Sequence, residues 1–420
     1  QTGILNAGGA INTASYTQSG GVLSGTGNLT VSGAATLSGG LMSGTGSTIT
    51  LGGLTIDGSI GLDAGRVLDV RGGATWTAGS INLNATDSTG HSDPGSGTIV
   101  NRAGSVFDTG IDGLMQTSNF GGADTGTTAL FTNAGTFTKS AGTGSTTIAN
   151  AFDNSGAVNV NSGTLNLSGG GTHTGSFATA AGTTLQFGGG THALNNVSAV
   201  NSLGRLLVNS ATVNTSGIVT SGGTLELQTG SLNAGGAINT ASYTQSGGTL
   251  SGTGNLTVSG ATTLSGGLMT GTGSTITQGA LTINGNGINL DAGRVLDVRG
   301  GATWTAGSIN LNPNNGTGSG SIVNRAGSVF ATSFDGVIFT QDFGGADDGT
   351  TALFTNLGTF TKSAGTGSTT ILNAFNNSGA ISVDSGTLSL TQGGVHTGSF
   401  ATTAGTTLQF GGGTHALNNV

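Results

Sequence analysis

The chain is expected to be all-β, a right-handed parallel β-helix (β-solenoid) with about 19–21 residues per coil. Short alternating apolar runs, glycine-rich turns between them and a repeat on two scales predict this fold. NLTV, STITL, RVLDV, AVNV and TLNL alternate in the manner of strands with one buried face. SGG, SGTG, DAG and NSG separate them and supply the turns. No stretch keeps helical i, i+3, i+4 spacing for more than a turn. Equivalent phrases recur at a spacing near 20: GVLSGTG at Gly21 and GLMSGTG at Gly40, then TLNL at Thr164 and TLQF at Thr184. Constant turn chemistry at a constant phase favours stacked coils over an antiparallel sandwich. Stacking sets Leu, Ile, Val and Phe in internal ladders and Thr and Ser in external ones. About 21 coils, each pairing with the next at about 4.8 Å, are expected.

The larger repeat divides the chain. LNAGGAINTASYTQSGG at Leu5–Gly21 returns unchanged at Leu232–Gly248, and GTTLQFGGGTHALNNV at Gly182–Val197 returns at Gly405–Val420. Residues 1–227 form one unit and 228–420 a second, truncated copy. Between Leu194 and Leu232 there is no proline and no composition break, so the two are expected to continue coaxially. NATDSTGHSDPGSGT at Asn84–Thr98 shortens to NPNNGTGSGS at Asn312–Ser321, which marks an exposed loop. The repeat phase at Gln1 suggests a window cut from a longer array.

Composition narrows the function. Of 420 residues 85 are glycine, and charged residues make up 6%, against roughly 25% in ordinary domains. Hydrophobic residues still reach 34%, enough for a core. Collagen is excluded, because glycine does not fall at every third position and there are two prolines. Too few Lys, Glu and Arg exist for coiled-coil heptads; Glu226 is the sole glutamate. With 17 acidic and 9 basic side chains the net charge is −8, so no nucleic-acid partner is expected. No run of 18 apolar residues could span a membrane, and QTGILNAGG reads as no signal peptide. Zero cysteines exclude disulfides and thiolate chemistry.

Several phrases resemble known bacterial proteins. SGGxLSGTGNLTVSG, INLDAGRVLDVRGGATWTAGSINL, FTNxGTFTKSAGTGSTTI and NSGAVNVNSGTLNLSGGGTHTGSF are similar to the repeat regions of filamentous-haemagglutinin-like and autotransporter-like surface adhesins. The resemblance implies export, a right-handed parallel β-helix, and a role in adhesion, biofilm or surface coating.

Polysaccharide lyases and hydrolases also use β-helices, so clustered carboxylates need examination. LDAGRVLDVRG offers Asp63, Arg66, Asp69 and Arg71, repeated as Asp291, Arg294, Asp297 and Arg299. Asp69 and Arg71, two apart on a strand, should both face outward as a surface ion pair worth about 0–1 kcal/mol. Of the histidines His91, His173, His192, His396 and His415, the pair 173/192 is 19 apart and should stack on adjacent coils. With no third ligand in sequence, solvent-facing ladder positions are expected rather than a metal site. GGADTG at Gly121–Gly126 and DFGGADDG at Asp342–Gly349 suggest calcium, but Asp348 is Thr125 in the first unit and no nonapeptide pattern repeats. They are expected to be polar loops. Phe131, Phe137, Phe152 and Val158, with Phe354, Phe360, Phe375 and Ile381, should face inward; Trp76 and Trp304 are open between core and carbohydrate platform.

The expectation is therefore a secreted, cell-surface structural or adhesive protein with no catalytic, cofactor or metal residues. Its partners would be further copies or adjacent repeats end to end, and host or matrix surface glycans. A polysaccharide-degrading enzyme and an ice- or surface-binding solenoid are the alternatives. Sparse charge argues against the first, and variable outward residues argue against the second.

Overall fold

The computed structural model describes residues 3–85, 95–120, 125–196, 200–314, 318–344 and 347–418. They contain no helix, and the paired strands are parallel in stacked coils: a β-solenoid of about 19 turns. The chain divides into two compact units, Gln1–Val213 and Asn214–Val420.

In the first unit each coil lays down strands on successive faces. Strand Leu29–Val31 pairs with Ser47–Thr50, and Ala35–Met42 bends to pair first with Leu54–Asp57 and then with Ile60–Leu62. Regular coils advance by 18 to 21 residues, from Ile4 against Val22 to Leu130 against Ala151. Coils carrying the long loops advance further: Thr98 sits on Val67, and Phe107 on Ala74. These wide coils account for about 19 turns where a uniform period gives about 21. The loop expected over Asn84–Thr98 lies mostly outside the described residues.

Strand alternation turns every second side chain inward. Leu29, Thr48, Leu68, Ile99, Phe131 and Phe152 form one buried ladder through consecutive registers. Phe107, Phe137, Val158 and Phe177 form another. The rings of Phe107, Phe131, Phe137 and Phe152 alternate edge-on and stacked contacts at 5.1–5.7 Å. Such pairs add about 0.5–1.5 kcal/mol each beyond their burial. In the second unit Phe330, Phe354, Phe360 and Phe375 repeat the arrangement, and Ile381 is buried beside them. The inward phase expected for the Phe positions is the observed one.

Corners are where glycine is required. At Gly44 φ is +83°, and a Cβ would lie 2.6 Å from the carbonyl oxygen of Gly25 in the coil before. That approach leaves no room for a side chain.

Next to the aromatic ladder runs a buried amide ladder. Asn101 Nδ2 donates to Asn133 Oδ1 at 2.7 Å, and Asn133 Nδ2 donates to Asn154 Oδ1 at 2.8 Å. Each also donates to a backbone carbonyl, Thr136 O and Ala157 O respectively. Asn324, Asn356 and Asn377 form the same chain with the same spacings.

Candidate functional site

The charged cluster of LDAGRVLDVRG splits between the inside and the outside of the coil. Strand Val67–Val70 follows Arg66, so Arg66, Leu68 and Val70 share the inward phase while Asp69 and Arg71 share the outward one. Arg66 and Arg294 are fully buried. The Arg66 guanidinium donates through Nη2 and Nε to Thr48 Oγ1 at 3.0 and 3.3 Å and through Nη1 to Gly27 O. Arg294 does the same with Thr275 Oγ1 and Gly254 O, and burial lowers its pKa to about 10. Burial also pushes the neighbouring Tyr243 hydroxyl up. Asp63 and Asp291 are buried as well, each accepting the next residue's amide at 2.9 Å, from Ala64 and Ala292 in the left-handed region at φ 51°. The four side chains of the motif thus do not gather into one outward group.

Asp69 departs from the expected surface pair. It is 3% exposed and held by two arginines: Arg71 Nη2 lies 2.7 Å from its Oδ2, and Arg102 Nε lies 2.7 Å from its Oδ1. Burial raises the carboxyl, but the hydrogen bonds from Arg102 and Arg71 and their charges outweigh it and hold the pKa below the ordinary value. Asp297, Arg299 and Arg325 repeat this at 2.8 and 2.7 Å. The arginines cover the aspartate, so an outward residue is sealed from solvent. Arg102 and Arg325 escaped the sequence reading because each comes from the next wide coil. NRAGSVF, repeated in both units, was the available signal.

A second missed feature is a buried lysine. Lys139 shares the inward phase of Phe137, and its Nζ meets Asp112 Oδ1 at 2.9 Å, with Ile111 O and Ala141 O completing the ammonium's bonds. Lys362 binds Asp335 at 2.7 Å in the same way.

The histidines stack on adjacent coils but face inward, contrary to the solvent-facing expectation. His173 and His192 are fully buried, with ring centroids 5.3 Å apart and planes 16° from parallel. Gly189 O can only accept, so His192 donates from Nε2 to it at 3.0 Å and its Nδ1 is bare. His173 Nε2 then donates to that Nδ1 at 3.0 Å, which leaves the buried Nδ1 of His173 without a partner. Burial, reinforced by the facing His192, lowers His173 to about 3. Burial lowers His192 to about 4 against the pull of carbonyls at Gly189 and Leu167. His396 and His415 copy the geometry at 3.0 Å. Among the described residues no group of three His, Cys, Asp or Glu side chains gathers around either pair. His91 lies outside the described residues.

Trp76 and Trp304 are buried, with indole nitrogens donating to Ala78 O and Ala306 O, and belong to the core. In the acidic loops, Gly121–Asp124 and residues 345–346 lie outside the described residues. Asp342 Oδ1 accepts Gly344 N, and Asp348 Oδ1 accepts Thr350 N and Oγ1. No family, curated protein or solved structure matches this chain. Its parallel β-solenoid is compatible with β-helix repeat proteins.

Proposed function

We propose that this chain is a non-catalytic structural and adhesive repeat scaffold of the bacterial cell surface, similar in role to the filamentous-haemagglutinin-like and autotransporter-like proteins. The observation that carries the reading is the use made of charge. The polar groups duplicated in both units are wired into the stack: Asp69 under Arg71 and Arg102, Arg66 on Thr48, Lys139 on Asp112. A carboxylate locked between two arginines is poorly placed to shuttle a proton. Repeating such groups multiplies a building unit. The expected partners are further coils of the same kind and surface glycans. Immunogold labelling of the cells that make the protein tests the reading. Gold on the envelope or in the medium is expected, together with no new reducing ends or unsaturated products from a polysaccharide panel. Label confined to the cytoplasm, or polysaccharide cleavage, would overturn it.

A further inference from the structure

Two depressions adjoin on the second unit and share Leu372. One, of about 230 Å³, is lined by Thr340, Asp348, Thr350, Leu372, Asn373 and Gln392, with small residues between them. The other, of about 420 Å³, is lined by Ser308, Phe334, Asp335, Val337, Ser368 and Thr370, again with Leu372 as a wall. Together they fall within the roughly 300–1,000 Å³ of small-ligand sites.

The lining has a definite chemistry. Phe334 is half-buried and fixed edge-on against Trp304 at 5.4 Å, and Leu372 is 39% exposed, so two apolar surfaces stand ready. Around them are hydroxyls, the Gln392 and Asn373 amides and two carboxylates. The lining holds no Lys or Arg. Thr350 donates twice to Asp348 Oδ1, which fixes that carboxylate. Asp335 is already neutralised by Lys362 from within, and Asp348 carries its charge at the surface, so nothing in the lining offers an anion a free cation. A molecule with apolar ring faces and many hydroxyls satisfies both kinds of wall.

The first unit lacks the aromatic ring, the leucine at 372 and two of the polar side chains. It holds Ile111 for Phe334, Thr125 for Asp348, Ala149 for Leu372 and Gly169 for Gln392, while Thr340, Thr350 and Asn373 keep their counterparts Thr117, Thr127 and Asn150. We infer that the paired depressions of the second unit form a binding site for a neutral oligosaccharide of at least two sugar rings, with Phe334 and Leu372 under the rings and Asp348 and Gln392 on their hydroxyls. The site deepens the adhesive reading by naming its partner class. It is nevertheless tested separately, since sugar binding by the purified chain does not depend on where the cell puts it.

Saturation-transfer NMR on the full chain with millimolar lactose, maltose, cellobiose and diacetylchitobiose, and with calcium chloride as a control, decides it. At least one disaccharide should receive magnetisation. Phe334→Ile and the triple change Asp348→Thr, Leu372→Ala, Gln392→Gly should each weaken its binding at least about tenfold. These substitutions install the first unit's own residues, and amide exchange checks that the fold survives. Transfer to none of the four sugars, binding unchanged in both variants, or a response to calcium alone would each overturn the proposal.

Discussion

The two units bury the same core and differ at one stretch of surface. Phe107, Phe131, Phe137 and Phe152 in the first and Phe330, Phe354, Phe360 and Phe375 in the second are all fully buried, with the same edge-on and stacked ring contacts. Three residues before Phe375, Leu372 is 39% exposed, and the first unit holds Ala149 in its place. Inward residues are held in common because neighbouring coils cover them, while outward ones are free to differ.

The sharpest way to break this comparison is to put the same charge on an inward and an outward position. Phe375→Asp should cost about 3–5 kcal/mol, because the carboxylate is sealed among apolar ladders. Leu372→Asp should cost less than about 1 kcal/mol, because water reaches it. Amide exchange across 368–390 measures both; equal losses would mean that the covering coils do not matter.

Acid gives the second contrast. The unfolded imidazoles titrate near 6.5, while folded His173 and His192 stay neutral to about 3 and about 4. Between those limits the unfolded chain binds more protons, so stability rises with pH. The contribution is fully present above pH 6.5 and is lost as pH falls toward 4 and then 3. The loss is on the order of a few kcal/mol. Exchange of 171–196 should quicken steeply between pH 6 and about 4. His396 moves in the same direction through burial, then the facing His415. Replacing His173 with Phe should flatten the acid response of the first unit; an unchanged profile would assign that response to another group.

The smallest effect should be equal in both units. Asp69→Asn and Asp297→Asn remove a carboxylate from between arginines that are about half exposed, so screening limits the loss to about 1 kcal/mol at low salt. Urea midpoints at low and high salt measure it. A cost of several kcal/mol, or a twofold difference between units, would mean that the burial of the aspartates, and not the exposure of the arginines, sets the cost.

Much of this was legible from period two and period 20. The alternation gave the strands, the coils and the inward Phe residues, and the 19-residue spacing stacked His173 on His192. Their side of the wall was misread because polar character was given more weight than phase. Arg66 stands two before Leu68, Lys139 two after Phe137 and Asn154 two after Phe152, so all three keep the inward alternation, and His173 lies on the inward Asn154 in the next coil. The hydrogen bonds awaiting them inside, from Thr48, Asp112 and Asn133, come from other coils and leave no local mark. Arg102 was hidden for another reason: a loop puts it 33 residues from Asp69, outside the regular period.

The amide ladder has a bearing on how such a stack assembles. The middle asparagine, Asn133, accepts from Asn101 and donates to Asn154, so the row has a sense of direction and one correct spelling. A coil that settled one residue out of step would turn its amide outward and offer an apolar or hydroxyl group in its place. The Oδ1 of Asn154 and one hydrogen of the Asn101 amide would then go unanswered in a dry interior, at about 1–3 kcal/mol apiece. Near-identical repeats invite mispairing, because many wrong partners carry the right pattern of apolar residues. A row of amides acts as a proofreader: it lets an incoming coil slide until the letters match, then closes.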